Sequence, residues 1–208
     1  MDRKKEQIVV SGLPRSGTSL MMQILEAGGI EAFTDDIRSA DNDNPRGYFE
    51  WEEIKRIGQD HRILELVVGT GKAIKVISTL LPRLPKAHHY KIIFVQRDID
   101  EVVRSQQKML SARGEPTDIE SLAETTVRLK NHNDQILQWM QTARHFESLI
   151  VDHRQLIKSP AHEIQKIISF LDRDIASEAG SMAAVVDPKL YRNRSKNSLV
   201  TRFTSWLR

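Results

Sequence analysis

Short apolar runs rich in β-branched residues alternate with amphipathic stretches along most of this chain. Such runs are typical of buried strands, and apolar residues three or four positions apart are typical of helices. The predicted strands cover residues 8–10, 73–77, 91–96 and 149–151. The predicted helices begin near residue 18 and continue with 48–61, 98–113, 119–140 and 159–171. This alternation predicts an α/β fold, with three α/β/α layers around a mostly parallel central sheet.

The first predicted strand leads into a glycine loop. Gly12 ends the strand, Gly17 follows five residues later, and a helix begins near Thr18. Glycines let backbone N–H groups curl around an anion, and the helix dipole favours negative charge at its first turn. The spacing matches the P-loop G-x-x-x-x-G-K-[ST], but Thr18 replaces the lysine and the cation, Arg15, lies inside the loop. We therefore expect a phosphate site here, although an ordinary strand-to-helix turn has the same spacing.

Composition narrows the possible chemistry of the chain. The 208 residues include no cysteine, which excludes disulfides, thiolate metal sites and cysteine nucleophiles. A net charge of +3, with both signs interspersed, suits a polyanionic small molecule better than nucleic acid. The apolar runs are too short for a signal peptide or a membrane span. We expect one cytoplasmic domain over residues 1–208, with no metal, since the seven histidines lack a metal-binding spacing.

Two anion motifs, in this order, resemble those of the sulfotransferases that use 3′-phosphoadenosine 5′-phosphosulfate (PAPS). The 5′-phosphosulfate loop of that family reads like P-[KR]-S-G-T-[ST], and its 3′-phosphate motif is a strand ending in arginine, with serine eight residues later. Weaker similarities at residues 74–82 and 153–171 follow in the family's order. By this resemblance Pro14, Arg15, Ser16, Gly17, Thr18 and Ser19 bind the 5′-phosphosulfate, and Arg97 and Ser105 bind the 3′-phosphate.

The resemblance also implies cofactor contacts from the second half of the chain. His153 takes the place of a tyrosine that contacts adenine in the family, although it can equally be a solvated loop residue. Basic residues after the last helices often close over the 3′-phosphate in this family. Tyr191, Arg192 and Arg194, within the basic segment 187–208, are therefore candidate lid residues, unless that segment is an ordinary solvated surface.

The activity implied is transfer of a sulfuryl group from PAPS to a hydroxyl or amine, which leaves 3′-phosphoadenosine 5′-phosphate (PAP). The acceptor would be a small molecule, a carbohydrate or a peptide. Sulfuryl transfer is an in-line displacement that depends on positioning and on stabilising the leaving charge. Arg15 suits the leaving phosphate oxygen, and Lys75 suits the transferring group unless it extends to solvent at a sheet edge. The strand ending at Gln96 supplies no metal-binding aspartate.

Several residues are candidates for the base that takes the acceptor proton. Cytosolic members of the family use a histidine where this chain has Ile77. Other members use a carboxylate, so Asp36, in the loop after the first helix, is the first candidate and Glu50 the second, although both residues can be ordinary surface carboxylates. Activity that rises near the pKa of histidine would instead indicate His61 or His153.

Two other functions are consistent with parts of the sequence. A P-loop kinase or phosphatase for a small metabolite would explain the glycine loop but not Arg97 and Ser105. A nucleotide-binding protein that has lost catalysis would explain Ile77. Magnesium-dependent ATP binding distinguishes the first, and transfer to any acceptor argues against the second.

Overall fold

In the computed structural model, which describes residues 6–35, 37, 47–112, 114 and 122–188, helices cover both faces of a parallel sheet. The strands are β1 (Glu6–Gly12), β2 (Ala73–Ile77), β3 (His89–Gln96) and β4 (Phe146–Asp152). They lie in the order β2-β1-β3-β4, and each neighbouring pair is parallel. The predicted α/β class and parallel sheet are confirmed.

The helices mostly lie where amphipathic periodicity predicted them. The α-helices are α1 (Thr18–Ala27), α2 (Ile99–Ala112), α3 (Leu122–Thr142), α4 (His153–Lys158), α5 (Pro160–Leu171) and α6 (Ala179–Ala184). Short 3-10 helices cover Glu52–Arg56, His61–Leu66, Ser78–Arg83 and Ala176–Glu178. Helices α4 and α6 were not predicted from the sequence, because six residues are too few to establish a helical period.

The single helix predicted over residues 48–61 is wrong. Backbone without regular secondary structure covers residues 47–51, and a 3-10 helix follows at Glu52–Arg56. Trp51, Ile54 and Ile57 are all buried in one apolar cluster. A spacing of three residues matches the 3.0 residues per turn of a 3-10 helix, and it also occurs in amphipathic α-helices. The apolar pattern therefore could not separate the two structures.

Alternate residues of the strands face two apolar clusters. One cluster packs against α1, α5 and α6, and the other packs against three of the 3-10 helices and the second half of α3. Strands buried on both faces are typical of parallel sheets, and they read as continuous apolar runs. The strand residues of the first cluster include Ile8, Val10, Ile93 and Val95, and those of the second include Val9, Ile74, Ile92 and Phe94.

The carboxyl ends of three strands meet at one edge of the sheet. Gly12 of β1 lies beside Ile77 of β2 and Val95 of β3. Helix α3 also reaches this edge, because its Leu129 packs in one cluster with Leu13, the residue after β1. Ligands of open parallel sheets bind outside the carboxyl ends of the strands. The fold therefore places the glycine loop and the end of β3 where a ligand is expected.

Replacing Gly12 with alanine should destabilise the fold. Gly12 has a φ of 152°, and a Cβ there would lie 2.5 Å from Ser16 Oγ and 2.6 Å from the carbonyl oxygen of Val95. Because that oxygen belongs to β3, it cannot move without disturbing the sheet. We expect Gly12→Ala to lower the free energy of unfolding by about 1–3 kcal/mol, measured by urea denaturation.

Gly180→Ala is the matched control for this prediction. Gly180 lies within α6, and a Cβ added there would have no heavy atom within 4 Å. Alanine there should raise the free energy of unfolding by about 0.5–1 kcal/mol, because it favours the helix. Equal stability of Gly12→Ala and the wild type would contradict the steric argument.

Candidate active site

The loop between β1 and α1 exposes backbone N–H groups at the start of a helix. Gly17 precedes α1 with a φ of 108° and provides no capping side chain. The amide of Ser16 donates to the carbonyl oxygen of Leu13 at 3.0 Å, which makes the loop a tight turn. Arg15 has a φ of 74°, a conformation that residues other than glycine rarely adopt. The first N–H groups of an α-helix have no acceptor within the helix, so this turn suits an anion.

The two predicted anion motifs are in direct contact. Arg15 donates from Nε to Ser105 Oγ on α2 at 3.1 Å. Arg97, just beyond β3, donates from Nη1 to the carbonyl oxygen of Arg15 at 3.1 Å. The structure therefore brings Arg15, Arg97 and Ser105 together at the carboxyl edge of the sheet.

A buried carboxylate holds Arg97 in place. Glu101 is fully buried, and its Oε2 accepts from Nε of Arg97 at 3.0 Å. Its other oxygen, Oε1, accepts from Nη2 of Arg154 at 3.3 Å. Two guanidinium groups compensate the cost of removing this carboxylate from water. Neither Glu101 nor Arg154 was predicted from the sequence, although the four-residue spacing from Arg97 on a helix could have indicated Glu101.

Lys75 points into the protein, towards α1. It is 8% exposed, which rules out the alternative that it extends to solvent. Its Nζ donates to the carbonyl oxygen of Tyr48 and to Ser19 Oγ, the latter at 3.4 Å. Glu50 Oε1 lies 3.6 Å from the same Nζ. The structure therefore brings together Lys75, Ser19 and Glu50, three of the predicted site residues.

His153, the first residue of α4, lies under the glycine loop. It is 6% exposed, and a Cβ on Gly17 would lie 2.5 Å from its Cδ2. Burial, and to a smaller extent the charge of Arg97, lowers the pKa of His153 to about 3, against the opposing effect of Glu101. The imidazole is therefore neutral at physiological pH. This position favours support of Gly17 over the predicted stacking on adenine, which needs an accessible ring face.

Of the remaining predicted residues, three are described in the structure and four are not. Pro14 is exposed, with its carbonyl oxygen accepting from Gln106 Nε2 of α2 at 3.0 Å, and Thr18 is the first residue of α1. Ser16 is buried within the loop. Asp36, Tyr191, Arg192 and Arg194 lie outside the described residues.

A serine–histidine pair, which was not predicted from the sequence, lies at the end of β2. Ser78 directly follows Ile77 and is fully buried, and its Oγ lies 2.9 Å from Nε2 of His132 on α3. Burial, with a smaller contribution from Arg128, lowers the pKa of His132 below the ordinary value of 6.5. No pattern in the sequence connects these residues, which are 54 positions apart.

The described part of the chain has neither a cluster of metal ligands nor a helix suited to a membrane. Its histidine, aspartate and glutamate residues form no group of three or more that could hold a metal ion. Among the helices described, none has both the length and the apolar character needed to cross a membrane.

The chain is similar to sulfotransferases over most of its length. The family model described as the sulfotransferase domain matches residues 5–204. Sulfotransferase 1 family member D1 of Mus musculus is 24% identical over 201 residues, which cover 85% of this chain and 62% of that protein. The chain thus spans about 62% of the length of this curated relative.

Two solved structures have a similar fold. A mouse sulfotransferase crystallised with PAP matches 92% of this chain and 67% of its own, with a TM-score of 0.55 and 20% identity. The sulfotransferase domain from the curacin biosynthetic pathway matches 94% of both chains, with a TM-score of 0.54 and 15% identity. At these identities the likeness establishes the fold.

Acid should destabilise the protein through His153. Its pKa is about 3 in the folded protein and 6.5 as the reference value, so between these values the unfolded state binds more protons. The contribution of neutral His153 to the free energy of unfolding is fully present above pH 6.5. It is lost as the pH falls towards 3, by at most about 1.4 kcal/mol per pH unit. His153→Gln should reduce this slope, measured by urea denaturation at a series of pH values.

His162→Gln is the matched control for the acid effect. His162 is exposed on α5, so its removal should leave the slope unchanged. If His153→Gln and the wild type lose stability equally between neutral and acid pH, the acid effect comes from other groups.

Proposed function

The chain belongs to the sulfotransferase domain family, and from that membership we propose that it transfers a sulfuryl group from PAPS to a hydroxyl or amine acceptor. The observation that carries the proposal is the contact between two anion motifs at one sheet edge. PAPS is anionic at its 3′-phosphate and at its 5′-phosphosulfate, so its site needs two sets of donors. One similar protein, the mouse sulfotransferase, was crystallised with PAP, which supports the same nucleotide here.

The 5′-phosphosulfate is proposed to lie at the start of α1. The amides from Gly17 to Ser19 precede or begin the helix, where its dipole favours an anion. Arg15 is the cation of this loop. Its guanidinium would neutralise the charge that develops on the phosphate oxygen as the S–O bond breaks, the moment at which electrostatic stabilisation counts most.

The 3′-phosphate is proposed to bind Arg97 and Ser105. Glu101 fixes the guanidinium of Arg97 through Nε, which orients it before the ligand arrives. Together with Arg154, this cluster contains two positive charges and one negative charge, so a net positive charge remains for the phosphate. The Ser105 oxygen accepts from Arg15, and its hydroxyl hydrogen would be donated to a phosphate oxygen.

The transferring group is proposed to contact Lys75. This ammonium lies beside Ser19 in the first turn of α1, next to the proposed position of the phosphosulfate. Glu50 is ion-paired with Lys75, and we propose that it holds the ammonium in position. The resemblance makes Glu50 and Asp36 candidates for the base, and the sequence alone does not choose between them and a histidine.

Calorimetry with PAP tests the proposal directly. We expect PAP to bind the folded protein, and PAPS to sulfate at least one member of a panel of phenols, sugars, amines and tyrosine peptides. No PAP binding at about millimolar nucleotide, where even a weak site is occupied, would refute the proposal. Magnesium-dependent ATP binding tighter than PAP binding would favour a metabolite kinase, and PAP binding without transfer to any acceptor would favour a nucleotide-binding protein.

Separate anion sites should give separable losses of affinity. Arg97→Ala should weaken PAP about 10- to 100-fold, the effect of one charge-assisted contact, yet change the binding of adenosine 5′-phosphosulfate much less. Ser105→Ala should show the same preference with a smaller loss. Calorimetry with both ligands measures these effects, and Arg104→Ala, an exposed arginine on α2, is the control. Equal losses for both ligands would mean that Arg97 supports the loop instead of binding the 3′-phosphate.

Arg15→Ala should weaken both ligands instead of one. Because Arg15 is assigned to the 5′ side, its loss should weaken PAP and adenosine 5′-phosphosulfate alike and also lower turnover. Unchanged turnover in this variant, measured as PAP released from PAPS, would remove Arg15 from the proposed reaction.

A further inference from the structure

A groove of 620 Å³ lies along α3, with His132 in its wall. Its described lining comes from one face of α3, and it combines apolar surface from Val127 with polar groups such as Asn131. Ser78 lies under the histidine and contacts its Nε2 at 2.9 Å. The groove therefore has an ionisable side chain held in a fixed orientation.

His132 lies near the carboxyl edge of the sheet, because its partner Ser78 follows Ile77, which pairs with Gly12 at the start of the glycine loop. The end of β1 lies between the ends of β2 and β3. The Arg97–Ser105 motif follows β3, whereas Ser78 follows β2. One turn before His132, Leu129 belongs to the same apolar cluster as Leu13 of the loop. With the nucleotide across β1 and β3, the β2 side remains for the acceptor.

From this geometry we propose that His132 accepts the proton of the acceptor hydroxyl, with Ser78 as the residue that positions its ring. The proposal rests on the sulfuryl transfer proposed above. It gives the reaction a histidine base that comes from α3 instead of β2, where Ile77 cannot accept a proton.

The proton and electron changes of this step balance. When Nε2–H of His132 donates to Ser78 Oγ, the lone pair of Nδ1 is available to take the acceptor proton. The acceptor oxygen forms a bond to sulfur as the bond between sulfur and the 5′-phosphate oxygen breaks. The bonding electrons leave with PAP, and the imidazolium later returns its proton to water.

The surroundings of His132 favour the neutral ring that a base requires. Burial is the larger cause of its lowered pKa and Arg128 the smaller. Glu124 and Arg128 are the charged groups of α3 that line the same groove. On the 3-10 helix that begins at Ser78, Arg83 lies against Gly58. At neutral pH the proton acceptor is therefore already deprotonated.

The alternative is that the Ser78–His132 contact only attaches α3 to the sheet. Removing a purely structural contact would change the stability of the protein but not the dependence of the transfer rate on the acidity of the acceptor. A base matters most for an acceptor that holds its proton tightly, and little for one that is already ionised. Comparing two phenols of different acidity therefore separates the two roles.

The test measures transfer from PAPS to 4-methylphenol, which is protonated at neutral pH, and to 4-nitrophenol, which ionises near neutral pH. We expect His132→Asn to lower kcat with 4-methylphenol at least about 100-fold, with a much smaller loss for 4-nitrophenol. Calorimetric PAP affinity should remain at the wild-type value. Ser78→Ala, which keeps the imidazole but not its partner, should give an intermediate loss in the same direction.

Three control variants complete the experiment. His162→Asn makes the same replacement at an exposed position on α5 and should leave both rates unchanged. Asp36→Asn and Glu50→Gln should keep the acid limb of the kcat–pH profile, which lies below 6.5 and disappears in His132→Asn. Loss of that limb in a carboxylate variant, or equal rate losses with both phenols in His132→Asn, would overturn the proposal.

Nuclear magnetic resonance of the histidine rings tests the proposal even if the protein sulfates neither phenol. Adding 4-methylphenol to the PAP-saturated protein should shift the ring signals of His132, and unchanged signals would overturn the proposal. A wild-type protein that binds no PAP refutes the sulfotransferase function itself, whereas PAP binding with normal transfer in His132→Asn refutes only the role of His132.

Discussion

The buried carboxylate of Glu101 organises the candidate site. It binds Arg97 on one oxygen and Arg154 on the other, and so joins the start of α2 to α4. A carboxylate without solvent must have compensating donors, and two guanidinium groups provide them. Because Arg97 is held by this ion pair through Nε, its Nη1 reaches the carbonyl oxygen of Arg15. One ion-pair cluster thereby fixes the position of the glycine loop relative to the end of β3.

Steric fit gives the loop its second constraint. The backbone at Gly12 approaches β3 so closely that no side chain fits, and Gly17 meets the ring of His153 in the same way. The loop is therefore held between a strand and a buried imidazole instead of projecting freely into solvent. Such a loop presents its backbone amides in a preorganised arrangement, which reduces the entropy lost when an anion binds.

The sequence predicted those features that depend on local pattern. Strands buried on both faces give uninterrupted apolar runs, and the paired glycines with Arg15 identified the loop. Contacts between distant residues were not predictable, since nothing in the sequence connects Ser78 with His132 or Glu101 with Arg154. The spacing of Trp51, Ile54 and Ile57 fits two helix types, and the burial of His153 depends on tertiary packing. The elements and the glycine loop could therefore be predicted from local sequence, whereas the contacts between distant side chains could not.

The parallel sheet also determines how the chain can fold. Strand β1 is central, and its pairing joins Ile8 to Ala73 and to Lys91, while β3 pairs with β4 through Ile93 and Leu149. Every described strand pair thus joins residues more than fifty positions apart, a topology with high contact order and slow folding. During synthesis the glycine loop emerges early, but its neighbours on β3 and α4 follow only much later. The loop cannot complete its contacts with Val95, Arg97 and His153 before those residues exist, so the shape proposed to bind an anion requires most of the described fold.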